Sequence, residues 1–129
     1  MSSLHYFEIK NTTNGLYMSR FNYNSEAIVW SEVLSSKAAA QNNIDSVKCN
    51  APTAPIVDMT KGETGSGYRF EIFDTADNQF MVRFKAPNGE TVVVSEHYTA
   101  KHNAIKCVES VRNNAATAKI VDNTKSAAA

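Results

Sequence analysis

The chain contains the same unit twice, and this repeat constrains the fold more than any other feature. Phe-Glu-Ile occurs at residues 7–9 and again at 70–72, and Ile-Val-Asp occurs at 56–58 and again at 120–122. The two copies of Phe-Glu-Ile are offset by 63 residues, and the two copies of Ile-Val-Asp are offset by 64. A turn that differs in length by one residue accounts for that change. Two tandem copies of one unit are therefore the starting point for the fold.

Each unit is predicted to contain three strands, a helix and a short last strand. Apolar and charged residues alternate along 69–72 and 80–85, as in strands that bury one face. A stripe with helical spacing follows the third strand in both units: Ala40, Ile44 and Val47, then Ala104, Val108 and Val111. Ser35 and Thr99 are the expected N-caps of the two helices.

These elements predict an α+β fold in which two tandem β-β-β-α-β units share one antiparallel sheet, with the helices packed on one face. One unit of about sixty residues would bury too little surface to be stable alone. We therefore expect a single domain over residues 1–129. Repeat one covers about 4–61, a linker 62–67, repeat two about 68–125, and a frayed tail 126–129.

Charge and targeting signals narrow the function. The chain carries 13 basic and 13 acidic residues, and neither half departs from neutrality by more than one charge. A duplex-binding protein usually shows a basic excess, so the composition argues against nucleic acid while leaving a local patch open. No apolar stretch is long enough to span a membrane, and no signal peptide is recognisable. We expect a cytoplasmic protein without a membrane partner.

The residue spacing gives no metal or catalytic site. His5, His97 and His102 are not spaced as ligands on one helix face, so no metal and no cofactor are predicted. Five helical residues place Cys107 about 140° away from His102, which argues against an activated thiol. No catalytic residue is proposed from the sequence.

One set of charged residues is a candidate binding site because both repeats retain it. Its members are Glu8, Arg20, Glu71 and Arg83. The structural interpretation is an exposed cross-strand ion pair in each repeat, with Glu8 and Arg20 placed diagonally. The functional interpretation is a two-fold polar patch on the open sheet face, with Met18 and Met81 beneath it. That patch could bind an anionic ligand or single-stranded nucleic acid.

A second set of charges is expected to be structural. Glu32 and Glu96 follow the third strands, and Lys37 and Lys101 stand near the helix starts. Loop ion pairs and turn hydrogen bonds would explain their retention.

Several motifs resemble the YegP-like family of small bacterial proteins. They are Phe-Glu-Ile, the Arg-Phe strand, Pro-Asn-Gly-Glu at 87–90, Ser-Glu-x-Tyr-x-x-Lys at 95–101 and Ser-Val-Arg-Asn-Asn-Ala at 110–115. The first copy departs from this pattern at Leu34, which stands where Tyr98 stands in the second. The resemblance implies one sheet in which the last strands are exchanged between units. Because the repeat supplies its own partner, we expect a monomer with an intramolecular repeat–repeat interface.

The family's function is unknown, so the resemblance implies no activity. We expect a small non-enzymatic binding or interaction domain. The alternatives are a small enzyme with a site between the repeats and a protein that binds single-stranded nucleic acid on the open sheet face.

Overall fold

Each half of the computed structural model contains three strands, a helix and a short last strand, in the predicted order. The structure describes residues 4–12 and 14–124, so Lys125 and the predicted tail 126–129 lie outside it. The first half comprises β1 (His5–Asn11), β2 (Tyr17–Tyr23), β3 (Glu26–Trp30), α1 (Lys37–Asn50) and β4 (Ile56–Asp58). The second comprises β5 (Arg69–Asp74), β6 (Phe80–Lys85), β7 (Thr91–Ser95), α2 (Lys101–Asn114) and β8 (Lys119–Asp122).

The eight strands form one sheet in the order β4-β5-β6-β7-β3-β2-β1-β8. The last strand of each repeat pairs with the first strand of the other, so the predicted exchange is confirmed. The prediction of a wholly antiparallel sheet was wrong at these two outer pairs, since β4 runs parallel to β5 and β8 runs parallel to β1. Parallel neighbours cannot be joined by a tight hairpin, and residues 59–68 carry the chain from the end of β4 to the start of β5.

Both helices pack on one face of the sheet, as predicted. Their apolar stripes, which include Ile44 and Val108, are fully buried. They meet one parity of strand residues, which includes Phe70, Ile72 and Phe84 at no more than 1% exposure. Side chains from both repeats belong to this single apolar core. Neither helix is long and apolar enough to cross a membrane, and the described residues contain no other candidate.

The N-cap of each helix lies one residue later than predicted. The Ser36 hydroxyl, and not that of Ser35, accepts a hydrogen bond from the Ala39 amide at 3.0 Å. The cap of α2 is Ala100, which has no side chain able to accept one. Both helices end at equivalent asparagines, Asn50 and Asn114.

An aspartate at the end of each exchanged strand ties it to the helix of the other repeat. Asp58 on β4 accepts from Lys101 of α2 at 2.9 Å, and Asp122 on β8 accepts from Lys37 of α1 at 3.0 Å. The expected loop pairs of these lysines with Glu32 and Glu96 are therefore wrong. The aspartates hold the lysines because strand exchange brings the strand ends to the helix starts.

Lys48 makes a further contact between the repeats. Its ammonium group donates to the carbonyls of Ala115, Ala116 and Ala118, just beyond the C-terminus of α2, at 3.2, 3.2 and 2.5 Å. Unpaired carbonyls at a helix end carry partial negative charge, so a cation there is favourable. The C-terminus of α2 is thus capped by a side chain of α1.

Candidate binding site on the open sheet face

One row of side chains crosses the sheet from edge to edge on the face opposite the helices, here called the open face. Strand register fixes its order as Val57, Glu71, Arg83, Val94, Trp30, Arg20, Glu8 and Val121. The four predicted site residues therefore lie in one line. Glu8 faces Arg20 directly and Glu71 faces Arg83 directly, so the predicted diagonal placement was wrong.

Glu8 is held by three neighbours. Arg20 donates to its Oε1 from Nε at 3.1 Å and from Nη2 at 2.7 Å, and Asn22 donates to the same oxygen at 3.0 Å. Asn123, just beyond β8, donates to Oε2 at 2.7 Å. Only 11% of the Glu8 side chain is exposed. The pair is mostly buried, and the expectation of an exposed pair was wrong.

Glu71 is held by two arginines. Arg83 Nε donates to Oε1 at 2.7 Å, and Arg69 Nε donates to Oε2 at 2.9 Å. The Arg83 guanidinium also lies 4.3 Å from the ring centre of Phe73. Sequence reasoning missed Arg69 because the equivalent position in repeat one is Tyr6. The Oε2 atom of Glu8 thus accepts from an amide, whereas that of Glu71 accepts from a second arginine.

At both glutamates, hydrogen bonds lower the pKa by more than burial raises it. Burial alone would raise the pKa of Glu8, but the bonds from Arg20, Asn123 and Asn22 lower that pKa to about 2. Burial also opposes the bonds that Arg83 and Arg69 make to Glu71, and the net effect is a pKa below the ordinary value. Both carboxylates are therefore ionised at neutral pH.

Acid should weaken the fold through Glu8. Its pKa lies lower in the folded chain than the ordinary 4.5, so its contribution is complete above about pH 4.5 and is lost as the pH falls toward 2. The shift corresponds to about 2–3 kcal/mol. Thermal unfolding followed by circular dichroism from about pH 7 to 2.5 should show Glu8→Gln converging on the parent protein as the pH falls. Exposed Glu109→Gln on α2 is the control, and a Glu8→Gln curve that stays parallel to the parent's would contradict this account.

The open face has a basic excess that the composition conceals. Register and strand alternation place six basic side chains on it with Glu8 and Glu71: Lys10, Arg20, Arg69, Arg83, Lys85 and Lys119. The chain totals are 13 and 13, so the rest of the chain carries seven basic and eleven acidic residues. Charge is therefore segregated between the open face and the rest of the protein.

The basic side chains of the open face differ in how many of their charges and N–H groups already have a partner. In the described part of the chain, Lys10, Lys85 and Lys119 form no ion pair. Arg20 and Arg83 are 27% and 29% exposed, and each retains N–H groups that its glutamate does not use. Free lysines therefore surround two arginines that are already fixed in orientation.

A cleft opens near the middle of this face. Strands β3 and β7 are joined through two residue pairs, Val29 with Ser95 and Trp30 with Val94. Beyond Trp30 they leave a cleft of about 330 Å³, lined by Trp30, Glu32 and residues 91–94. Glu32 also lines a second cleft of about 310 Å³ on the α1 side, with Glu90. The seam between the repeats is thus flanked by two clefts.

The described residues do not favour metal binding or a reactive thiol. Among residues 4–12 and 14–124, no cluster of three or more His, Cys, Asp or Glu side chains could hold a metal ion. Cys107 is buried. Burial raises the pKa of Cys107 to about 11, which keeps the thiol protonated and unreactive at neutral pH.

Comparison with known proteins identifies relatives of the same architecture. A family model described as Domain of unknown function (DUF1508) matches residues 14–58 and again residues 76–122. The chain is 34% identical over 125 residues to a UPF0339 protein of Mannheimia succiniciproducens, covering 96% of this chain and 99% of the relative. It is 32% identical over 125 residues to the UPF0339 protein YegP of Yersinia pestis, covering 95% and 98%.

Other relatives contain one repeat, and a solved structure has the same fold. A UPF0339 protein of Agrobacterium fabrum is 47% identical over 57 residues, which are 44% of this chain and 92% of the relative. The solution structure of the Escherichia coli protein of unknown function YegP superposes with a TM-score of 0.78 at 24% identity, covering 98% of each chain. That likeness supports the eight-stranded fold.

Proposed function

This chain belongs to the UPF0339 family and contains the DUF1508 domain of unknown function twice, and we propose from its surface that it is a non-enzymatic module that binds an extended anionic ligand on the open face. The observation that carries the proposal is the segregation of six basic and two acidic side chains onto that face. A local excess of one sign attracts and orients a ligand of the opposite sign, whatever the net charge.

In this proposal the glutamates position the arginines. Each carboxylate fixes a guanidinium group, so little further freedom is lost when the remaining N–H groups bind an anion. Arg20 retains Nη1, and Arg83 retains both of its Nη groups. Glu8 and Glu71 thus support the site, while Arg20 and Arg83 contact the ligand.

The rival hypothesis is a small enzyme with its site between the repeats. Acid–base catalysis needs two titratable groups in different environments, which shift their pKa values apart. The acids lining the two seam clefts are Glu32 and Glu90, and both are exposed. No histidine or cysteine lines either cleft in the described chain. The lining of these two clefts therefore favours binding over acid–base catalysis.

The proposal includes the state and setting of the protein. Strand exchange is completed within one chain, which supports a monomer acting as one domain over both repeats. Cys49 is exposed and free, and Cys107 is free and buried, which supports the reducing cytoplasm as its location.

Titration of labelled protein with polyphosphate tests the charge proposal without involving any base. Amide shifts should cluster on Glu8, Arg20, Glu71 and Arg83, and affinity should fall as salt rises. Converting Lys10, Lys85 and Lys119 together to glutamine should weaken binding by roughly tenfold or more at low salt. Lys106→Gln on α2 should leave it unchanged. No shifts at millimolar polyphosphate, or shifts confined to the helices, would overturn the proposal.

A further inference from the structure

We infer that the ligand of the open face is single-stranded nucleic acid, with one unstacked base in the cleft beside Trp30 and its amino group on Glu32. This inference rests on the proposed function and adds a ligand class to it. Three features carry it: the position of the cleft in the basic row, the side chains that line the cleft, and the free state of Glu32.

The cleft lies between Arg20 and Arg83, both of which are partly exposed. Trp30 pairs directly with Arg20 on one side, and Val94 separates it from Arg83 on the other. Three strand spacings, about 14 Å, therefore separate the two arginines. An extended oligonucleotide lying along the row would place phosphates at both ends of this interval and a base in the middle. Proteins that bind single strands combine a basic track with an aromatic platform in this way.

The lining of the cleft suits a base better than a phosphate. Trp30 offers an indole ring for stacking, and Val92 and Val94 provide apolar contacts. Phe73, also on the open face, already carries the Arg83 guanidinium on its ring. Trp30 has no such ring contact among the described residues, and it is partly exposed in the cleft, which leaves ring surface for a base.

Glu32 supplies a hydrogen-bond acceptor at the mouth of the cleft. Its expected partner Lys37 is bound to Asp122, and Glu32 forms no ion pair within the described residues. A carboxylate repels phosphate but accepts hydrogen bonds from an exocyclic amino group, such as N4 of cytosine. The carbonyl oxygen of thymine at the equivalent position would be repelled. The cleft should therefore prefer cytosine to thymine.

Only one of the two repeats can supply this stacking surface, because the chain has a single tryptophan. The position equivalent to Trp30 in the second repeat is Val94, which cannot stack with a base. The two-fold charge pattern would thus support a single base-binding site, with one oligonucleotide bound per chain.

The test uses the single tryptophan of the chain as its own reporter. The full chain is titrated at low salt with three strands of roughly twelve residues: oligodeoxycytidine, oligodeoxythymidine and an abasic strand of equal charge. Oligodeoxycytidine should quench Trp30 fluorescence and bind at least about tenfold more tightly than the abasic strand, because stacking adds to the charge term. It should also bind about fivefold or more tightly than oligodeoxythymidine.

Variants separate the roles, with labelled strands followed by anisotropy and folding checked by circular dichroism. Trp30→Leu should reduce oligodeoxycytidine binding to the abasic level and leave abasic binding unchanged. Trp30→Phe, which conserves an aromatic ring, should restore part of the difference and guards against a folding defect in the leucine variant. Glu32→Gln should remove the preference for cytosine over thymine, whereas Glu109→Gln should retain it.

The outcomes distinguish the two proposals. If the abasic strand and polyphosphate bind as tightly as oligodeoxycytidine, the base site is overturned and the anion-binding face stands. Equal binding of oligodeoxycytidine and oligodeoxythymidine would overturn the role of Glu32. If no anionic strand binds the open face, both proposals fail.

Discussion

A chain that ends at Gly62 should dimerise or unfold, and it should not persist as a folded monomer. In the full chain β4 pairs with β5, and β1 receives β8 at its outer edge. Truncation removes both partners at once. Because β7 is lost as well, the remaining unit would have unpaired edges on β1 and β3 and a last strand with nothing to pair with, on a core of marginal size.

A dimer would restore both contacts. Because β5 is the repeat equivalent of β1, β4 of one copy can pair with β1 of another in the register now used within the chain. Asp58 could then accept from Lys37 of the second copy, as it now accepts from Lys101. The single-repeat relative from Agrobacterium fabrum, matched over 92% of its length, shows that one-unit chains occur in the family.

Sedimentation velocity and circular dichroism would decide between these states. The truncated chain should sediment as a dimer with native-like secondary structure, or as an expanded monomer without it. The intact protein is the control and should sediment as a compact monomer. A truncated chain that remains a folded monomer at all concentrations would contradict strand exchange as a condition of stability.

The order of elements and the core could be predicted from the sequence because each element occurs twice, and the two copies can be compared. Phe70, Ile72 and Phe84 share one parity and are buried, as the alternation indicates. The helical stripe through Ile44 and Val108 is buried for the same reason. Periodicity is reliable where one face is fully apolar and the segment is long enough to show it.

The direction of the outer strands could not be predicted in this way. β4 has three residues and β8 has four, too few to show which way the strand runs or against which edge it pairs. The partners of Lys37 and Lys101 were missed for a related reason. Lys37 and Asp122 are 85 residues apart, and only the exchanged strand brings them together.

The charge of the open face was hidden for a different reason. Each strand contributes at most two basic residues to that face, spaced by alternation among apolar ones. No segment of the sequence therefore looks basic, and acidic residues in the loops and at strand ends return the total to zero. Composition argued against a nucleic-acid ligand because it averages over faces that the sheet separates. Charge on a folded surface follows from strand register, which the retained glutamates and arginines only partly indicate.

Replacing Glu71 by glutamine should destabilise the protein more than replacing Glu8 by glutamine. Glu71 is the shared counter-ion of Arg69 and Arg83, which are 12% and 29% exposed. Its loss leaves two cations close together with no carboxylate between them. Removing one member of a buried charged pair costs about 3–5 kcal/mol. Glu8 neutralises one arginine and otherwise accepts from two uncharged amides, so its loss should cost about 2 kcal/mol.

Urea unfolding of the two glutamine variants would measure this difference, with exposed Glu109→Gln as the control. A further variant tests the cause. If repulsion between the arginines dominates the loss, adding Arg69→Gln to Glu71→Gln should recover about 1 kcal/mol or more, although Arg69 alone is a stabilising residue. Equal losses for Glu8 and Glu71, without recovery in the double variant, would contradict the shared counter-ion. Recovery would show that Glu71 holds two cations on the open face at a cost in charge repulsion, which an anionic ligand would then relieve.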